Sequence, residues 1–138
     1  EVGTEECLRL LEKLKSGKYA KHNFYFLAPV PLAMFPDYLE KCPMPMDLST
    51  IQNKLEQGQY SRPEDFAKDV RRTFSNAIVY NEKVKERKHV ADSGKHMMRC
   101  FERWWPETLA SIPVLDSPRM TPQLEAECRR IVAALGRK

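Results

Sequence analysis

Asn81 is the polar residue whose position in this sequence most needs a reason. It closes the run "NAIVYN" at residues 76–81, just before the charged stretch "EKVKERKH" at 82–89. At about 100° of rotation per helical residue, it lies within about 20° of Phe74, seven positions earlier, and so points where the core side chains point. A buried carboxamide left unsatisfied costs roughly 1–3 kcal/mol, so it needs a polar partner. Two partners are open: a backbone carbonyl close by, as in a helix C-cap, or a ligand entering at that end of the core. The stretch from Phe24 to Asp47 could enclose such a ligand, because it supplies Phe24, Phe26, Val30, Met34, Phe35 and Tyr38, an apolar set with one phenol. An apolar cleft with one or two placed hydrogen-bonding groups suits a small neutral polar group on an aliphatic stem. It would reject an ammonium, whose desolvation is far costlier than that of an amide.

The elements that would hold these residues are helical. Residues 4–16 carry Cys7, Leu10, Leu11 and Leu14 at helical spacing, with Thr4 as N-cap and a continuation past Gly17 to about His22. Five of the chain's 10 prolines then fall between Phe24 and Asp47, where no helix is expected to persist. So long and aromatic a loop must fold back on the core. Asp47 is placed to cap a helix bearing Leu48, Ile51 and Leu55 and ending at Gly58. Ser61 and Glu64 read as a capping box, with Pro63 in the first turn, ahead of the stripe Phe66, Val70, Phe74, Ala77 and Ile78. A further helix over about 88–110 turns Val90, Gly94, Met97, Met98, Phe101 and Trp105 inward, leaving Trp104 for a partner or tail contact. After the linker "ASIPVLDSPRM", Thr121 and Pro122 open an amphipathic stretch with Leu124, Cys128, Ile131, Val132 and Leu135 on one side. The expected fold is all-α: four main helices over residues 1–112 with one long crossover, and a linker plus extra helix over 113–138.

Composition narrows the function. A chain of 138 residues that is 42% hydrophobic and 30% charged fits one folded helical domain rather than a disordered one. No apolar run reaches the roughly 18 residues of a membrane span, so no membrane partner is expected, and the missing initiator methionine suggests an excised piece of a larger protein. The four scattered cysteines lack zinc spacing and read as free thiols in a reducing compartment. His89 and His96 lie two turns apart on one helix and His22 in another segment, a spacing that reads as solvated helix residues, and no nucleophile elbow or phosphate loop is present, so neither metal, cofactor nor enzyme is expected. The net charge of +4 is mild, but the basic loop 83–88 leaves open a weak DNA contact. A scaffold with a vestigial pocket is the third class, and a large exposed apolar patch on the last helix would favour it.

Several motifs together carry a family resemblance. "PDY" at 36–38, "PMDLSTI" at 45–51, "YSRPEDF" at 60–66 with "DV" at 69–70, and "NAIVYN" at 76–81 resemble a bromodomain, in the family's order, over about residues 4–110. The resemblance implies a left-handed four-helix bundle without catalytic activity. Its long first loop and the loop after the third helix would enclose a pocket for N-acetyl-lysine. Asn81 matches the asparagine whose amide donates to the acetyl carbonyl, and Tyr38 the tyrosine that reaches the same oxygen through a water. Tyr80 matches the pocket-lining tyrosine before the asparagine, while Phe26 and Val30 match positions that pack on the acetyl methyl and lysine stem.

The departures lie on the rim. The family's Trp-Pro-Phe shelf is here Phe24, Tyr25 and Phe26, and the stretch from Val30 to Pro36, which includes Phe35, is shorter than in common members. The gatekeeper six residues after the asparagine, usually aliphatic or aromatic, is Arg87. Its stem is expected to cover the cleft while its guanidinium turns to solvent or to a peptide carbonyl. With Lys83, Lys85 and Lys88 it makes the rim positive unless Asp37, Glu40, Glu82 and Glu86 compensate. The resemblance thus implies a monomeric nuclear module that reads acetylated lysine on histones or other chromatin proteins.

Overall fold

The computed structural model describes residues 3–113 and 122–136. Its first helix, α1 (Thr4–Lys15), buries Cys7, Leu10, Leu11 and Leu14, the stripe expected from spacing. The N-cap is Gly3 rather than Thr4: the backbone enters at φ 84°, a left-handed conformation that glycine adopts without strain. A β-carbon there would also stand 2.8 Å from the Ile112 side chain. Nor does α1 run on to His22. The chain turns out at Ser16, makes a 3₁₀ turn over Gly17–Tyr19, and restarts as the single turn α2 (Ala20–Asn23). Asn23 secures the break, since its buried amide donates to the carbonyls of Leu14 (2.8 Å) and Ser16 (2.9 Å) at the corner, the latter also accepting from the Tyr19 amide of the 3₁₀ turn.

The proline-rich stretch folds back on the bundle as expected, with a 3₁₀ turn at Phe24–Phe26 and one helical turn, α3 (Tyr38–Lys41), in the gap between its prolines. Asp47 caps α4 (Leu48–Glu56) by accepting from the amides of Ser49 (3.0 Å) and Thr50 (3.1 Å). That helix ends in a Schellman motif: the Gly58 amide donates to Leu55, the Gln59 amide to Lys54, and Gly58 takes φ 67°.

The longest contact in the fold is between α5 (Pro63–Asn81) and α6 (Lys88–Ser111). The Ser61–Glu64 capping box does not form, because Pro63 occupies the first helical position and makes the extended Arg62 the N-cap. The pair therefore falls one residue out of register, and Asp65 meets Arg62 instead, at 3.5 Å. Phe66, Val70, Phe74 and Ala77 are buried, while Ile78 is half-buried at the α6 interface. Gly94 of α6 permits the close approach, since a β-carbon there would lie 3.0 Å from the Phe74 carbonyl oxygen. Trp105 enters the core, stacked on Phe101 at 5.5 Å. Trp104 has contacts within the bundle, against Tyr19 and beneath the Lys13 ammonium. His22 and His96, distant in sequence, stack at 4.0 Å beside Ser93.

One polar cluster ties the bundle together. Asp69, 4% exposed, accepts from the Tyr60 hydroxyl (2.6 Å), Lys54 Nζ (2.7 Å) and Arg72 Nη1 (2.9 Å). Asp69→Ala would strand all three donors. Because Lys54 and Arg72 can still reach water, the expected loss is about 2–3 kcal/mol rather than the larger cost of a wholly enclosed charge. Asp69→Asn, which keeps an acceptor for Tyr60, should lose less. Urea unfolding of both variants measures the difference; equal losses would mean that the carboxylate's charge facing Lys54 and Arg72, and not the acceptor kept for Tyr60, sets the cost.

The C-terminal helix α7 (Pro122–Gly136) carries the expected amphipathic pattern, with Ile131, Val132 and Leu135 exposed. The linker from Val114 to Thr121 and the side chain of Leu124 lie outside the described residues.

Candidate functional site

A cavity of about 480 Å³ opens at the end of the bundle where α5 finishes, between the 24–38 stretch and the start of α6. All eight residues expected from the sequence line it: Phe24, Phe26, Val30, Phe35, Tyr38, Tyr80, Asn81 and Arg87. Their roles differ with their depth. Phe26 is buried and meets Phe74 edge-on at 5.1 Å, which fixes the floor to the core. Phe24 is 70% exposed and forms rim rather than wall. Val30 and Phe35 are half-buried against a second small cluster of Tyr38, Cys42 and Tyr80.

The two tyrosines form one unit, with ring centres 4.8 Å apart at 61°. Tyr80 donates its hydroxyl to Asp37, the residue that precedes α3, so α5 pins the loop from within. That bond holds the Asp37 carboxyl below the usual carboxylate range and, seen from the other side, raises the Tyr80 phenol. Burial pushes the Tyr38 phenol well above its ordinary value, so it stays a neutral donor at any physiological pH.

Asn81 is 7% exposed and is the last residue of α5. Its Nδ2 donates to the Ala77 carbonyl at 2.9 Å, the local backbone partner that helix phase left open. An amide nitrogen carries two N–H groups, so one donor remains for the cavity. Its Oδ1 accepts from Arg87 Nε at 2.7 Å. The Arg87 guanidinium therefore does not turn to solvent. It folds inward over the rings of Tyr80 (4.7 Å) and Phe35 (5.8 Å), because the asparagine oxygen and two aromatic rings offer it more than water does.

Met34, from the apolar loop set expected from the sequence, lines the cavity too, and Thr73, Ala77, Met46, Tyr25 and Val90 join the expected residues there. A signal existed for two of them, since Thr73 and Ala77 precede Asn81 on the same face by two turns and one. Met46 approaches through loop geometry that periodicity does not encode. Among the described residues no group of three or more His, Cys, Asp or Glu side chains could hold a metal ion, and Cys7, Cys42, Cys100 and Cys128 are free thiols.

The deciding comparison is with protein families, where the bromodomain model matches residues 7–92. This chain belongs to the bromodomain family. Its relatives include Bromodomain-containing factor 1 of Candida albicans, 38% identical over 119 residues, a match that covers 85% of this chain and 15% of that protein. Transcription factor GTE10 of Arabidopsis thaliana is 36% identical over 140 residues, covering 97% of this chain and 13% of that protein. The chain thus spans only a small part of the length of these relatives. Among solved structures, the second bromodomain of Candida albicans Bdf1 in its unbound form superposes with a TM-score of 0.67 at 36% identity, covering 74% of this chain and 94% of that one. The all-helical bundle is the bromodomain fold, and bromodomains are non-catalytic modules that bind acetylated lysine peptides.

Proposed function

We propose that the cavity receives an acetyl-lysine side chain, with the free Asn81 N–H donating to the acetyl carbonyl. The observation that carries this reading is a single unspent amide donor among apolar walls. Tyr38 reaches the same oxygen through an ordered water, Phe26 and Val30 pack on the methyl and the lysine stem, and Tyr80, Phe35 and Phe24 complete the wall and rim. Acetylation suits this chemistry because it removes the charge that an apolar cleft disfavours and supplies the acceptor that Asn81 needs. The source of the peptide is a histone or another chromatin protein, and the module, residues 1–112, acts in the nucleus as part of a larger chain. A transcription factor among its relatives supports that placement.

Calorimetric titration with one peptide in acetylated and unmodified form tests the reading. The acetylated peptide should bind at least about 10-fold tighter, equivalent to one net hydrogen bond plus the avoided burial of an ammonium. Equal affinities for the two forms would overturn it.

A further inference from the structure

The charge at the cavity mouth narrows which acetyl-lysine peptides would be preferred; this step rests on the acetyl-lysine reading above. Two charged side chains line the cavity, Asp47 and Arg87. Asp47 is spent: one carboxylate oxygen accepts from Ser49 N and Thr50 N as well as from the Ser49 hydroxyl, and the other accepts from Thr50 Oγ1 at 2.5 Å. Arg87 differs. Its Nε is used by Asn81, but among the described residues no carboxylate lies within ion-pair distance of it, and its Nη groups carry four further N–H donors.

Of the four acidic residues near this rim, Asp37 and Glu82 are committed elsewhere, while Glu40 and Glu86 stand exposed without an ion pair among the described residues and offset only part of the charge of Lys83, Lys85 and Arg87. Asp37 accepts from Tyr80 and pairs with Lys41 at 3.6 Å, and Glu82 is held by Lys95. Lys88 has its own partner in Asp92 at 3.8 Å, whereas Lys83 and Lys85 are exposed on the same loop with no ion pair among the described residues. The balance beside the cavity is therefore positive, and its innermost charge is a guanidinium held still. Asn81 and the faces of Tyr80 and Phe35 fix Arg87 in place, so little side-chain entropy is left to lose when a carboxylate docks on the Nη edge. A guanidinium fork matches a carboxylate in two parallel hydrogen bonds, and at a half-buried site that pair is screened less than one in open water.

We propose that this module selects acetyl-lysine flanked by aspartate or glutamate, Arg87 being the residue that reads the acidic side chain. Peptides with lysine or arginine at those positions meet the unpaired guanidinium and are disfavoured. The preference sits on the segment of peptide that crosses the loop after α5.

The test uses four peptides of one length: acetyl-lysine flanked on both sides by Asp, by Ala or by Lys, and the Asp-flanked peptide with unmodified lysine. Against the parent protein at ~50 mM salt, the Asp-flanked acetylated peptide should bind about 10-fold tighter than the Lys-flanked one, with the Ala-flanked peptide between them. At ~300 mM salt the ratio should shrink to a few-fold. In Arg87→Ile the ratio should fall close to unity, and in Arg87→Lys, which keeps the charge without the fork, it should fall part of the way. Acetyl-dependent binding with no preference for acidic flanks would overturn the inference alone. A preference that survives intact in Arg87→Ile would overturn the role given to Arg87. Unmodified peptide binding as tightly as acetylated would instead sink the acetyl-lysine reading beneath both.

Discussion

Asn81→Ala should reduce affinity for an acetyl-lysine peptide by about 5- to 150-fold, the range that corresponds to 1–3 kcal/mol for stranding a polar group. Two losses combine. The acetyl carbonyl would enter an apolar cavity without its donor, and Arg87 would lose the oxygen that anchors its Nε. The second loss distinguishes this site from one whose gatekeeper is aliphatic: a freed guanidinium could swing across the mouth, and the variant's weakened binding should then show a steeper dependence on salt. Stability should barely change, because the Asn81 amide otherwise makes only a tie to Ala77 one turn away, worth about 1 kcal/mol. Asn81→Asp is the sharper companion. It preserves shape but offers only acceptors, so it should pair with Arg87 and repel the acetyl oxygen, leaving binding as weak as in the alanine variant. Titration of both variants beside thermal melting checks this. Near-parent affinity in either folded variant would exclude Asn81 as the recognition group.

Most of what determines this site could be read in the sequence because it lies within single elements. Helix phase alone turns Asn81 toward the core, and Asp47 and Gly58 mark the ends of α4 through interactions spanning two to five residues. The misreadings also have local causes. Thr4 and Ser61 have the right residue types for caps, but a glycine already in the left-handed region and a proline at the first helical position each moved the boundary by one residue. What could not be read depends on distant pairs. The Asn23 amide secures the break after α1 because the corner it ties packs well. His22 meets Ser93 across 71 positions, and Trp104 meets Tyr19 from another helix. Arg87 is the instructive case. Its identity and position raised the right question, but its direction depends on the Asn81 oxygen and on Phe35, a residue from a different loop whose approach no periodicity describes.

The core residue with the largest expected effect is Phe74, because it joins stability to the site. It is fully buried on α5, its carbonyl lies against Gly94 of α6, and its ring supports Phe26 at the cavity floor. Phe74→Ala should cost about 3–5 kcal/mol: the transfer free energy of a buried phenyl group plus the void that α5 and α6 cannot close, since their backbones are already in near contact. A marginally stable domain could lose a large share of its folding free energy this way. Phe74→Leu fills most of that space and should cost clearly less, so it provides the folded variant in which binding can be measured. In it, Phe26 loses its edge-on partner and gains freedom to tilt. Affinity for the acetylated peptide should fall a few-fold although no ligand-touching residue has changed, because the floor must be ordered again on binding. Guanidinium unfolding gives the stability loss, with an unchanged m-value marking a loss of packing rather than a change in the denatured state. Parent-like affinity in Phe74→Leu would mean that the cavity floor holds its shape without the core beneath it.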